Sequence, residues 1–453
     1  MQNCHYSTDN GNPTRPKNAI DKAKGQTTMR VIFDHATQAY LLSIFMDLAR
    51  IESASNPKAP ANLSPTTPGQ ITVAERALRE LQSSWAQSLG IMVTITDKGY
   101  VVAHVPANLP REVAKPPRIG LLAHTDTSSD GKGPNGVKPR LVNCTGRDVV
   151  LENGTVIDVR HNPHLLELGG EQLVVTDGTS LLGGDNKAGM AEILAMLYWL
   201  SQHRWFYHAP LSIGFFPDEE IGRMADGLDL QNFDAAYAYT VDGGTRGEYN
   251  VETFIGVRAT VEITGITTHP GEAKSKGMVN ALEILGALLE RLRHMQAVPQ
   301  RTDEREPFMM SHGVNGTYGA TKLDLLLRAF SMKEIQMLKR MLGRQLSAIR
   351  KEYQRAIIKV HYRVEYPNMI EYLRGHEHVI DRLVAAMHAA GITPLNIAVR
   401  GGTDGSRLSK EGVPTPNIFT GTMNMHGFTE HLVVPWANDA STTLIYLVGH
   451  GLN

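Results

Sequence analysis

The sequence predicts an α/β fold: a mixed, largely parallel sheet covered on both faces, with a ferredoxin-like α+β unit inserted into it. Three observations carry this. Short apolar stretches of strand length alternate with longer stretches of helical spacing, the pattern of a parallel sheet flanked by helices. Between about residues 256 and 369 the order becomes β-α-β-β-α-β, the split-βαβ unit. The first rhythm then resumes, so a compact unit sits within a larger domain whose halves flank it.

The elements follow in order. The first 28 residues are polar, lack the apolar core of a signal peptide and read as a disordered tail. Residues 31–51 and 72–89 carry helix-spaced apolar side chains, and 92–96 and 119–123 read as strands, the second after the breaker Pro116-Pro117. Residues 188–200 form a strongly apolar helix and 211–216 a short buried strand. Within the inserted unit, 257–264 alternates as an antiparallel strand does, 278–295 is helical, 314–319 and 322–330 are strands, 332–353 is helical and 357–366 is the last strand. A helix over 371–390, a strand near 395–399 and a helix over 436–448 complete the chain. The boundaries are then a tail at 1–29, the first part of the large domain at 30–255, the insertion at 256–369 and the second part at 370–453.

Composition excludes several classes. Among 453 residues, 45 Lys+Arg face 46 Asp+Glu, which leaves no electrostatic footprint for nucleic acid or an anionic membrane. The longest apolar run, 193–200, is far short of a membrane span, and the chain reads as cytoplasmic by absence of other signals. Two cysteines, Cys4 and Cys144, permit at most one disulfide, and Cys4 lies in the polar tail. The 18 histidines hint at metal or proton chemistry.

Five polar clusters stand out, most of them at strand ends, where loops of an open α/β sheet converge on one crevice. In I-G-L-L-A-H-T-D (119–126), His124 and Asp126 share a strand face, the spacing of a metal-binding imidazole and the carboxylate that orients it. In L-L-G-G-D-N-K-A-G (181–189), Asp185 lies at the turn into the apolar helix, where it can bridge two metals or, alternatively, Asp185 or Asn186 can cap that helix. In P-D-E-E-I-G (217–222), extended backbone would point Glu219 and Glu220 opposite ways, one for a metal and one for protons; a surface acidic run is the alternative. Asp242 follows a strand and precedes two glycines that let backbone crowd a ligand, or form a plain turn. In H-G-F-T-E-H (426–431), periodicity does not choose between His426 and His431 as a ligand. Together these clusters supply histidines and carboxylates without cysteine, the donor set of a catalytic zinc site. A paired site with an extra carboxylate reads as metal-assisted hydrolysis by a bridging hydroxide.

The order H-T-D-T-S, G-G-D-N-K-A-G, P-D-E-E-I-G, V-D-G-G, T-H-P-G-x-A-K, R-G-G-T-D-G and H-G-x-x-E resembles the peptidase T family. These are tripeptide aminopeptidases among the two-domain zinc exopeptidases related to carboxypeptidase G2. The resemblance implies two zinc ions per chain. His124 and Asp242 would hold one, Glu220 and His426 the other, and Asp185 would bridge them across a cis Asp185–Asn186 bond. It makes Asp126 the group orienting His124, Glu219 the general base, and His426 rather than His431 the ligand. It turns the insertion into a lid and dimerisation domain carrying His269, which would stabilise the oxyanion. Arg328 would meet the substrate's carboxylate, while Asn368, Arg400 and Thr403 would line the pocket or serve the scaffold. Short peptides, tripeptides foremost, are the implied substrates, and a homodimer through the lid the implied assembly. Related dipeptidase, carboxypeptidase or deacylase activities use the same site, and an inactive binding homologue would lack a ligand or the base. The chain departs from the pattern in Ala-Phe-Ser after Arg328, in an extra residue within 273–277, and in Asn186 where many relatives have a second Asp.

Overall fold

The computed structural model describes residues 31–450 except 132, 134 and 135. The expected disordered tail at 1–29 lies outside the described residues.

An eight-stranded mixed sheet forms the centre, ordered Met92–Ile95, Val101–Val105, Leu211–Phe216, Ile119–His124, Tyr237–Gly243, Asn417–Phe419, Glu248–Asn250 and Leu395–Asn396. Its middle is parallel, because Ile119–His124 pairs in parallel with both Leu211–Phe216 and Tyr237–Gly243. Those strands are buried along their length, which explains their near-continuous apolar sequence. One face packs on helices His35–Ala49, Gly184–Gln202 and Val434–Val448, and the other closes over a smaller core of Leu122, Phe216, Phe233, Ala238 and Leu408. Helix Gly184–Gln202 approaches the sheet closely at Gly189, where a Cβ would lie 2.0 Å from the Val241 carbonyl oxygen.

The segment 255–366 builds a second, antiparallel sheet, ordered Phe308–Gly316, Ala320–Ala329, Ile255–Thr264 and Ile357–Tyr366. This is the ferredoxin-like strand order. Alternate residues Val257, Ala259, Val261 and Ile263 join a separate core with helices Ala281–Arg293 and Met332–Glu352. The capping box of Ser331 and Glu334 starts the second helix.

Several elements differ from expectation. The 72–89 helix is two, Pro68–Leu81 and Ser84–Ser88, and the 371–390 helix is Ile370–Leu373 and Glu377–Ala389, parted at Gly375, whose φ is 83°. The expected 314–319 strand begins at Phe308, carried past a bulge near Ser311 by pairing with Ala320–Ala329. The strand near 395–399 shrinks to Leu395–Asn396 with an isolated bridge at Val399. A third sheet of Thr422–Met423, His431–Val433, Gln172–Val175 and Arg140–Asn143 has no counterpart in the sequence reading. Among the described residues, no helix is long and apolar enough to cross a membrane.

Candidate metal centre

The parallel strands end on one side, and the crevice there gathers the polar clusters. His124 is the last residue of its strand and is 3% exposed. Its Nε2 lies 2.9 Å from Asp185 Oδ1 and 3.5 Å from Asp242 Oδ1, and its Nδ1 lies 3.0 Å from the Asp126 carbonyl oxygen and 3.4 Å from the Asp126 carboxylate. On the other side of Asp185, His426 Nε2 sits 3.2 Å from Asp185 Oδ2 and 3.0 Å from Glu220 Oε2. Two groups that can each hold a metal ion result, His124–Asp185–Asp242 and Asp185–Glu220–His426, sharing Asp185. The Asp185–Asn186 peptide is cis.

Local sequence explains the placement. Gly183, with φ 74°, turns the chain into the helix, and Asp185 departs from helical angles. Glu430 fastens this turn, its carboxylate accepting the N–H groups of Gly183 at 2.8 Å and Asp185 at 3.1 Å. Glu430 belongs to the H-G-x-x-E motif, yet nothing in its spacing announced an anchoring role. Glu219 and Glu220 are not extended: they lie in a turn after Asp218, whose φ is 63°. Their separation therefore comes from the turn rather than from strand alternation. Asp126, fully buried, accepts the N–H of Glu219 at 3.0 Å and of Glu220 at 3.1 Å, so one carboxylate orients both an imidazole and the acidic turn.

The electrostatics are those of crowded, desolvated carboxylates. Burial, with Asp185 adding repulsion, pushes Glu220 up to about 7 and Asp242 up to about 6. Burial and then Asp404 hold Glu219 well above its ordinary range. Bonds to Asp185 and Glu220 push His426 up to about 11, and although burial opposes it, Asp242, Asp126 and Asp185 hold His124 above its usual value. Glu220 Oε1 is buried without a hydrogen-bond partner, and Asp242 Oδ1 has none beyond the 3.5 Å approach of His124 Nε2. Orphaned acceptors facing two imidazoles fit a pair of divalent cations, which would satisfy them and neutralise the repulsion. Asp404 was not singled out by its sequence; it borders the same cavity as His124, Glu219 and Asp242, and burial pushes it up to about 8.

None of the remaining site residues belongs to either metal-holding group. His269 is exposed and accepts the Gly271 N–H at 3.1 Å, capping its own turn. Arg328 donates to Glu365 at 3.2 Å and stacks 5.1 Å over Tyr366. Asn368 receives the N–H of Thr253 and donates to the Phe330 carbonyl, both at 3.0 Å. Arg400 donates to the carbonyls of Glu304 at 2.8 Å and Thr302 at 3.3 Å. Thr403 Oγ1 is buried without a partner, one residue before Asp404.

The model of peptidase family M20/M25/M40 matches residues 184–448. Peptidase T of Clostridium perfringens (strain SM101 / Type A) is 35% identical over 405 residues, covering 89% of this chain and 97% of that protein. Peptidase T of Clostridium novyi is 37% identical over 392 residues, covering 86% and 93%. Among solved structures, aminopeptidase PepT of Bacillus cereus superposes with a TM-score of 0.65 at 21% identity, covering 91% of this chain and 98% of that one. A Bacillus subtilis protein described as a dinuclear metal binding peptidase from the M20 family gives 0.58 at 14% identity, covering 92% and 98%. At these identities the two structures speak for the fold.

Proposed function

The chain belongs to the peptidase T members of the M20/M25/M40 peptidase family, and from that premise we propose that it is a cytoplasmic, di-zinc tripeptide aminopeptidase. The observation that carries this is the double cluster around Asp185, with orphaned carboxylate oxygens on both sides. His124 and Asp242 would hold one zinc, Glu220 and His426 the other, with Asp185 common to both. When bound, the two ions polarise a scissile carbonyl and make water more acidic.

The chain's own groups do the rest. Glu219 takes a proton from the attacking water and returns it to the leaving amine. Asp126 holds His124 and the acidic turn in register. Residues 256–369 act as a lid between the halves 30–255 and 370–453, and its closure carries His269 to the oxyanion. Arg328 faces the substrate's carboxylate and Thr403 lines the pocket, whereas the bonds of Asn368 and Arg400 to backbone favour a scaffold role for both. The lid's sheet also serves a homodimer.

The test is a free tripeptide against its N-acetylated form. Cleavage of the free peptide at its first bond supports the reading; cleavage of the blocked peptide alone would assign the site to a deacylase.

A further inference from the structure

The acidic turn is gripped from two sides, and only the grip through Asp126 belongs to the site described so far. The other is at Asp218. Its side chain is fully buried, and its φ of 63° is one that a residue with a Cβ keeps only where the surroundings fix it. A distant stretch does the fixing. Thr66 donates its N–H to both carboxylate oxygens at 3.1 Å and its hydroxyl to Oδ1 at 2.5 Å. Gln70 donates Nε2 to Oδ1 at 2.8 Å, and its Oε1 accepts the Asp218 N–H at 2.9 Å. Among the described residues no cation pairs with Asp218, so neutral donors alone hold its charge.

The same stretch reaches the neighbouring strand end. Ser55 donates its N–H to the Thr127 carbonyl at 3.1 Å, and Thr127 donates back to Ser53 at 3.3 Å. Beyond the turn, Arg223 donates to the carbonyls of Ala59 and Pro60, each at 3.1 Å. Residues 53–70 thus strap the acidic turn to the strand end that carries His124 and Asp126. Every group facing the Asp218 carboxylate is a donor, so an amide at 218 would set N–H against N–H.

We propose that Asp218, Thr66 and Gln70 are positioning residues, a clamp that fixes the angle at which Glu219 and Glu220 enter the crevice. The proposal rests on the role assigned to Glu219. A misplacement of about 1 Å at a reacting group costs on the order of 100-fold in rate, so loosening the clamp reads out in kcat before KM.

Thr66→Val keeps the shape and removes the hydroxyl; Thr66→Ser keeps the hydroxyl. On a free tripeptide, Thr66→Val and Gln70→Leu each lower kcat by roughly 10-fold or more, with KM and metal content held, while Thr66→Ser stays within about twofold of the unaltered chain. With cobalt(II) loaded, the visible spectrum shifts in Thr66→Val and not in Thr66→Ser. Should Thr66→Val not fold, Gln70→Leu carries both readouts. Equal kcat and equal cobalt spectra for the Val and Ser variants, or an unaltered Gln70→Leu, overturn the clamp. A chain that binds cobalt but cleaves no peptide contradicts the peptidase reading instead, and the cobalt spectra still decide the clamp.

Discussion

The crevice at the strand ends and the sheet over 255–366 treat their polar groups in opposite ways. In the crevice, Glu220 and Asp242 each bury an oxygen without a hydrogen-bond partner, and burial lifts Glu219 and Asp404. In the second sheet, two arginines find their partner within the chain: Arg258 pairs with Glu365 at 2.7 Å and Arg328 with the same carboxylate at 3.2 Å. His269 is likewise spent on its own turn. Unpaired buried oxygens on neighbouring carboxylates that face imidazoles call for a partner from outside the chain. The contrast therefore separates groups left waiting for a ligand from groups whose present partners lie within the chain.

The sharpest way to break this contrast is to remove the proton carrier alone. Glu219→Gln preserves shape, and steady-state kinetics should show kcat lower by roughly 100- to 10,000-fold with metal content unchanged. Near-normal activity would mean that the raised carboxylate is not the one that moves protons.

Next in size is a stability effect beside the crevice. His431 is fully buried, its Nδ1 bonded to the Thr429 carbonyl and its Nε2 2.9 Å from that of His164, and burial pushes it down to about 4. A depressed histidine gives stability that is whole above its unfolded pKa and is lost as pH falls from about 6.5 to about 4. At about 1.4 kcal/mol per unit, the loss is on the order of 3 kcal/mol. Denaturation at stepped pH should show that slope flattened in His431→Gln.

His269 sharpens the comparison from the other side. If closure of the lid brings it to the substrate, His269→Ala lowers kcat by about 100-fold while the unfolding temperature holds, because the side chain is exposed. An effect below about threefold would leave it as a turn cap only. Asn368 gives the smallest effect on catalysis: Asn368→Ala leaves the Thr253 N–H without its partner and should cost about 1–3 kcal/mol in denaturant unfolding, with KM little changed.

Much of this was legible in the sequence, for identifiable reasons. Fully buried parallel strands must be apolar, so 119–123 and 211–216 announced themselves, and strict alternation exposed 257–264. The crevice residues were visible because chemistry demands particular side chains next to those strands. What stayed hidden depends on tertiary pairing. The two-residue strand Thr422–Met423 has no periodicity to read, and Glu430 and Asp404 matter through partners distant in sequence. The acidic turn was read as extended backbone, because a positive φ at Asp218 cannot be seen in the residue's identity.

The central claim is that Asp185 unites two metal sites in one crevice. The direct measurement is metal content per chain for the unaltered protein and for Asp185→Ala, each loaded with zinc and desalted. Two ions per chain, falling below one in the variant with the fold retained, is the predicted result. A single ion in the unaltered chain, or two retained without Asp185, would contradict it.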